Sequence, residues 1–243
     1  MGNAAPNAAL LIIGDEILSG NVTDVNAPYL ARELWTLGVS VQRIVVVPDD
    51  AEEIAREIAF YRNRFTWILT SGGIGPTPDD VTLEGVAQGL GVALAPHPDL
   101  EQRVKRRYGS PNAAQLKLAD VPLGAALITS EAFTVPLLYW ENIFIFPGVP
   151  DLLKRKFNAI KSRFQSTPFH RQTMLFNTRE DKISWAISET GGRFPDVRLG
   201  SYPRLHTEDL QVEITFVSKD AVRVDEASRF FLNAISPLLP LTS

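Results

Sequence analysis

Residues 65–82 constrain the fold of this chain most, because they join a hydrophobic run to a glycine-rich segment and an acidic pair. Residues 65–69 have the composition of a buried strand. Three glycines follow at positions 72, 73 and 75, and Asp79-Asp80 then precede a periodic segment that predicts a helix over residues 81–90. A strand, a glycine loop and a helix start in this order are typical of sites that bind phosphate through backbone N–H groups.

The loop contains neither lysine nor arginine, although it ends in two carboxylates. Carboxylates repel a phosphate unless a cation lies between them. We therefore expect a divalent metal here, in the first place Mg²⁺ with oxygen ligands, with Co²⁺ as a second candidate. The alternative is an ordinary glycine turn followed by an aspartate that caps the helix.

The first 90 residues repeat the order strand, loop, helix three times. This repetition predicts a doubly wound, mainly parallel α/β sheet. Asp15 and Glu16 follow the first expected strand, Asp49 follows the second, and the glycine loop follows the third. Ligands of such sheets bind beyond the carboxyl ends of the strands, so these polar loops are expected to meet at one edge.

The pattern changes after Ser166-Thr167-Pro168, which has the composition of a linker. The remaining order, β-α-β-β-α, predicts a small α+β domain with helices on one face of an antiparallel sheet. We therefore predict two domains, over residues 1–167 and 168–243.

Composition excludes several functional classes. Apolar residues make up 45% of the 243 residues and the net charge is −4, which is typical of a globular protein and unfavourable for broad nucleic-acid binding. There is no cysteine, so disulfides, thiolate nucleophiles and zinc–thiolate sites are excluded. The sequence shows neither a signal peptide nor an apolar run long enough to span a membrane, so we expect a cytoplasmic location without membrane association.

Seven short motifs occur in the order and spacing of a known family, and together they extend over nearly the whole chain. They occupy residues 14–20, 24–26, 46–49, 70–77, 79–82, 146–150 and 200–203. With these motifs the chain resembles the MoaB/Mog-type molybdopterin-binding family. Within it, the chain is most similar to the branch formed by the N-terminal part of competence/damage-inducible protein A (CinA) and the N-terminal domain of eukaryotic FAD synthases.

The resemblance implies a Mog-like fold and metal-dependent hydrolysis of a dinucleotide pyrophosphate such as FAD or ADP-ribose. It also leaves two alternatives open: a molybdopterin-binding enzyme of molybdenum cofactor biosynthesis, and a non-catalytic nucleotide- or pterin-binding module. In each case the expected partner is a small molecule, and homo-oligomers are possible.

The resemblance also implies roles for individual residues. Asp49 and Asp80 are expected to be catalytic, and the expected metal ligands are Asp15, Glu16, Asp49 and Asp80. The residues expected to bind ligand or phosphate are Asn26, Thr70, Ser71, Gly72, Gly73, Gly75, Thr77, Lys117, Pro147 and Gly148. For Asn26 a helix cap is the alternative role, and for Lys117 a solvated surface position.

Two segments depart from the branch. Lys117-Leu118-Ala119 stands where these proteins usually carry Lys-Gln-Ala. Residues 130–137 replace a loop that usually contains Gly-Thr-Ala-Pro-Gly, so the glycines of that loop are missing here. The FAD-synthesising and deamidase domains of the larger relatives are not part of the sequence, and neither reaction is inferred.

Overall fold

The computed structural model describes residues 5–204 and 211–236. Two compact units divide the chain, Met1–Ser166 and Thr167–Ser243. This division differs by one residue from the boundary predicted between 167 and 168. No helix among the described residues is both long and apolar enough to cross a membrane.

The larger unit alternates strands and helices. In chain order its elements are β1 (Asn7–Ile13), α1 (Asp15–Leu18), α2 (Asn26–Thr36), β2 (Ser40–Val47), α3 (Ala51–Tyr61), β3 (Trp67–Ser71), α4 (Thr82–Leu90), β4 (Leu94–Pro96), α5 (Pro98–Tyr108), α6 (Ala113–Lys117), β5 (Asp120–Pro122), β6 (Ala126–Ser130), β7 (Phe133–Trp140), β8 (Ile143–Phe146) and α7 (Pro150–Ile160), which a 3₁₀ turn at Lys161–Phe164 extends.

Six of these strands form one sheet in the order β2-β1-β3-β8-β7-β6. The first four are parallel, while β7 pairs antiparallel with both of its neighbours, β8 and β6. Ile13 pairs with Val47 and Ser71 pairs with Phe146, so the four parallel strands end at the same edge. The expected doubly wound, mainly parallel α/β fold is confirmed.

Helices cover both faces of the sheet, which explains why its strands are hydrophobic on both sides. Leu11 of β1 packs with Ile54 and Ile58 of α3, whereas its neighbour Leu10 packs with Leu30 and Leu34 of α2. The spacings of three and four residues that predicted these helices are therefore their buried stripes. A short pair of strands, β4 and β5, lies outside the main sheet.

Two aspartates that precede helices in the sequence behave differently. Asp50 accepts hydrogen bonds from the backbone N–H groups of Glu52 (2.8 Å) and Glu53 (3.0 Å) and caps α3. The alternative prediction that Asp80 caps the following helix is wrong. Val81 is the N-cap position of α4, which has no side-chain cap, because the Asp80 carboxylate bonds backwards to Thr77.

Two segments expected to be loops contain regular structure. Residues 109–124 include α6, which begins with a capping box of Asn112 and Gln115, and also β5. Residues 130–137, expected to be a loop without its glycines, belong instead to the β6–β7 hairpin.

The smaller unit contains β9 (His170–Phe176), α8 (Glu180–Arg193), β10 (Arg198–Arg204), β11 (Gln211–Ser218) and α9 (Ala221–Ile235). Its strands form an antiparallel sheet in the order β10-β11-β9. Alternate residues of β11, Val212, Ile214 and Phe216, are buried in one core with residues of α8 and α9. The predicted small α+β domain is confirmed; Leu210, which the sequence assigned to the last strand, lies outside the described residues.

The first part of β7 extends beyond the end of β8 and is held by cationic side chains. The Lys156 ammonium of α7 donates to the carbonyls of Val135 (2.7 Å) and Pro136 (2.8 Å). Arg103 of α5 donates to the carbonyl of Thr134 (3.2 Å). Lys156 is 5% exposed, and this burial lowers the pKa of its ammonium to about 8.

Lys156 should make stability depend on pH. Between pH 8 and about 10.5 the folded protein loses this proton while the unfolded chain keeps it, so stability rises with pH. The neutral amine still carries two N–H groups for the two carbonyls. The free energy of unfolding of the wild type, measured by urea denaturation, should therefore rise relative to that of Lys156→Met between these two pH values. The rise should be at most about 3 kcal/mol.

Lys161→Met is the matched control, because Lys161 is exposed in the 3₁₀ turn that follows the same helix. Its stability relative to wild type should not change with pH. A flat difference for Lys156→Met would contradict a lowered pKa of Lys156.

Candidate functional site

The loops after β1, β2, β3 and β8 meet at the carboxyl edge of the sheet. Backbone hydrogen bonds connect neighbouring loops: Gly14 N–H donates to Val47 (3.2 Å) and Gly72 N–H donates to Phe146 (3.3 Å). The backbones of the polar loops therefore converge at one edge of the sheet, as expected.

Backbone crowding explains the glycine at position 72. Gly72 has φ +114°, and a Cβ atom there would lie 2.1 Å from the carbonyl oxygen of Ile13. A Cβ atom on Gly148 would lie 3.3 Å from the Gly72 Cα. Glycine is needed because three backbones approach one another here, whether or not a ligand is bound.

A buried hydrogen-bond network joins several of the residues expected to bind ligand. The Asn26 amide donates to Ser71 Oγ (3.0 Å) and to the carbonyl of Gly148 (2.7 Å), and Ser71 Oγ donates to the carbonyl of Pro147 (3.3 Å). Asn26 is 6% exposed and Ser71 1%. These polar groups therefore connect the loops at the edge of the sheet through hydrogen bonds to one another.

The network also leaves two acceptors unused. Asn26 Oδ1 and Thr70 Oγ1 are buried without a hydrogen-bond partner among the described residues. Asn26 does not cap α2, since the Asp24 carboxylate accepts from the N–H groups of Asn26 (2.8 Å) and Ala27 (3.2 Å). Asp24, one residue before the N-cap position Val25, thus satisfies the first N–H groups of α2.

Asp49 lies at the first end of the glycine loop. Its Oδ2 accepts from the N–H group of Asp15 (2.9 Å), and a Cβ atom on Gly73 would lie 3.4 Å from its Oδ1. The pKa of Asp49 is raised, mainly by burial and further by the charges of Glu16, Asp15 and Asp79, against the lowering effect of the Asp15 hydrogen bond. Asp49 is thus in direct contact with the Asp15 backbone, and the charges of Asp15, Glu16 and Asp79 act on its carboxylate.

Asp80 lies at the second end of the loop. One of its oxygens accepts from both the N–H group (2.8 Å) and the hydroxyl of Thr77. The same oxygen would lie 2.5 Å from a Cβ atom on Gly75, so the carboxylate packs directly against the glycine backbone.

A small cleft with a cavity volume of about 20 Å³ opens beside this second end. Its polar lining consists of Gly75, Asp80, Glu84, Lys117 and Asp120. Asp15, Glu16 and Asp49 do not line it. The expected site residues therefore fall into two groups, one around Asp49 and one around this cleft.

Sequence reasoning missed Glu84 and Asp120, the two other acidic residues of the cleft. Glu84 lies in the first turn of α4 and Asp120 starts β5, three residues after Lys117. The only signal in the sequence was this proximity to Asp80 and to Lys117, and neither position belongs to the motifs that carry the resemblance.

No group of three His, Cys, Asp or Glu side chains among the described residues is arranged to hold a metal ion. Mg²⁺ commonly uses one or two carboxylates and completes its shell with water and substrate phosphates. A metal at Asp49 would therefore have to complete its shell with water and with phosphate oxygens of a bound ligand.

Comparison with known proteins identifies both units. The family model described as probable molybdopterin binding domain matches residues 9–165, and the model described as FAD synthase, middle domain, matches residues 168–239. A solved structure titled as the protein CinA with unknown function, from Thermoplasma acidophilum, is 31% identical, with TM-score 0.60 over 66% of this chain and 98% of that one.

Curated relatives include a probable FAD synthase from Caenorhabditis elegans, 30% identical over 88% of this chain, and a CinA-like protein from Myxococcus xanthus, 33% identical over 79%. The chain covers 47% and 50% of these two proteins, so it spans about half their length. The larger unit, with its glycine loop and strand-end carboxylates, belongs to the molybdopterin-binding domain family of small-molecule-binding proteins, and the smaller unit matches the FAD synthase middle domain.

Proposed function

We propose that the larger unit binds a pyrophosphate-containing nucleotide such as FAD or ADP-ribose and hydrolyses its pyrophosphate bond with Mg²⁺ or Co²⁺. The position of Asp49 carries this proposal. Its carboxylate faces Gly73 of the glycine loop, and its pKa is raised mainly by burial and further by the charges of Glu16, Asp15 and Asp79. Carboxylates held together in this way favour a bound cation.

The backbone of residues 72–75 would bind the phosphates through its N–H groups. Gly72 and Gly73 both have positive φ, which turns the chain sharply after β3. The first turn of α4 follows without a side-chain cap, so the positive end of its dipole is directed to the same loop. These features favour an anion at the loop, close to the Asp49 carboxylate.

Asp49, with Asp15 or Glu16, would hold the ion. When bound, the ion would neutralise phosphate charge and lower the pKa of an attacking water. Asp80 fixes the other end of the loop through Thr77, and only one of its two oxygens is used in that bond. Its second oxygen is the candidate that orients water or a ligand hydroxyl.

The second candidate function is binding of molybdopterin, as an enzyme of its biosynthesis or as a non-catalytic module. The description of the matching family favours molybdopterin as ligand. The lack of a ready three-donor metal group among the described residues favours binding without hydrolysis. Turnover of FAD and ADP-ribose separates the first candidate from both versions of the second.

Asp49→Asn should lower hydrolysis of ADP-ribose at least about 100-fold, the loss typical of a positioned catalytic group. The asparagine oxygen can still accept from Asp15 N–H, so the fold should persist. Initial rates of phosphate monoester release from ADP-ribose in Mg²⁺ measure the loss of hydrolysis. A thermal melt of the same sample measures whether the fold persists.

Asp50→Asn is the matched control for this change. It removes the same charge one residue away, and asparagine still caps α3. Its hydrolysis rate should stay within about twofold of the wild-type rate, because a surface substitution that keeps the helix cap should change stability little. Equal loss in the two variants would contradict a specific role for Asp49.

Nucleotide binding should also require a divalent cation. Carboxylate–phosphate repulsion at a few ångströms is worth on the order of 1 kcal/mol per pair even near water, and several pairs act here. Isothermal titration with ADP-ribose should therefore show at least about tenfold tighter binding in Mg²⁺ than in EDTA. Equal affinity in the two buffers would contradict a metal at Asp49 and favour the binding module.

A further inference from the structure

Asn26 lies on a rigid element beside the glycine loop. It is the first residue of α2, and the Asp24 carboxylate accepts hydrogen bonds from its backbone N–H group (2.8 Å) and from that of Ala27 (3.2 Å). Leu30 and Leu34 of the same helix are buried in the core. The position of the Asn26 side chain is therefore fixed by a packed helix rather than by a loop.

The Asn26 amide uses both of its N–H groups inside the protein. It donates to Ser71 Oγ (3.0 Å) at the end of β3 and to the carbonyl of Gly148 (2.7 Å) after β8. A side-chain amide has two N–H donors and one carbonyl acceptor. The acceptor, Oδ1, is buried without a partner among the described residues. Asn26 therefore has no N–H group left for a ligand, and its unused oxygen is not at the surface.

The two turns that Asn26 connects have glycines where they touch. A Cβ atom on Gly148 would lie 3.3 Å from the Gly72 Cα, and Gly72 has φ +114°. The Gly72 N–H group donates to the carbonyl of Phe146 (3.3 Å). Glycine allows this close approach but leaves the backbone with more conformational freedom than other residues do. The hydrogen bonds from Asn26 limit that freedom on both turns.

We propose that Asn26 is a positioning residue of the glycine loop. Its amide holds the turns at Ser71 and Gly148 so that the N–H groups of residues 72–75 stay directed at one anion, and Asn26 itself does not contact that anion. This inference rests on the proposed function, because it assigns Asn26 a part in phosphate binding. A positioning residue affects the loop before any ligand is present, whereas a ligand contact matters only in the complex.

Asn26→Leu removes the amide, keeps a side chain of similar shape and adds no charge. In the protein without ligand, hydrogen exchange of the Gly72 amide, measured by NMR, should become at least about tenfold faster, because two buried hydrogen bonds that oppose local opening are lost. Isothermal titration in Mg²⁺ buffer should show a Kd for inorganic pyrophosphate at least about tenfold higher, because the loop is no longer preorganised.

Asn142→Leu is the matched control. The Asn142 amide also donates to two acceptors, the carbonyls of Arg62 (3.2 Å) and Phe65 (2.9 Å), but it directly precedes β8 and so lies at the opposite edge of the sheet. Its loss should lower the melting temperature, as the loss of the Asn26 amide does. It should change neither Gly72 exchange nor the Kd of pyrophosphate.

Ser71→Ala tests the same connection with a smaller change and keeps the test decisive if Asn26→Leu does not fold. It removes one of the two bonds, so Gly72 exchange and the Kd of pyrophosphate should rise less than in Asn26→Leu. Unchanged Gly72 exchange, or an equal change in Asn142→Leu, would overturn the positioning role. An unchanged Kd, with a wild type that binds pyrophosphate, would overturn it as well. Wild-type protein that does not bind pyrophosphate would overturn the proposed function and this inference together.

Discussion

Contact between three backbone segments at the carboxyl edge of the sheet determines the shape of the site. The turn at Gly72 packs against the carbonyl of Ile13 and against Gly148, at distances that leave no room for a side chain. The Asn26 amide connects the same turns by donating hydrogen bonds to Ser71 Oγ and to the Gly148 carbonyl. Because the next residue, Gly73, faces Asp49, any shift of this contact would also move the glycine loop relative to its carboxylates.

The glycine loop also separates acidic groups that would otherwise repel one another in one place. Asp49 lies against Gly73 with Asp15, while Asp80 lies against Gly75 and is bonded to Thr77. Repulsion falls with distance and with screening, so two smaller groups cost less than one large group. The division places one carboxylate at each end of the glycine loop, Asp49 against Gly73 and Asp80 against Gly75.

The sequence was sufficient for the parallel sheet, since its buried strands and helix stripes repeat regularly. It could not separate the roles of Asp50 and Asp80, because a helix cap and a backward turn both satisfy a carboxylate with nearby N–H groups. The strand β7 was missed because Pro136 lies inside its apolar run and a proline argues against a strand, while the Lys156 side chain that holds it comes from a distant helix. The cleft was missed for the same reason, since Glu84 and Asp120 meet only in the folded chain.

The β6–β7 hairpin has a consequence for how this fold can vary. Residues 133–136 extend past Phe146, the last residue of β8, and three successive carbonyls are held by Arg103 and Lys156 from two different helices. The hairpin is therefore held by side chains at residues 134–136, while Glu131 and Ala132 at its turn are exposed. Insertions between Ser130 and Phe133 could lengthen it over the edge of the sheet while the strands that carry Gly72 and Gly148 keep their register.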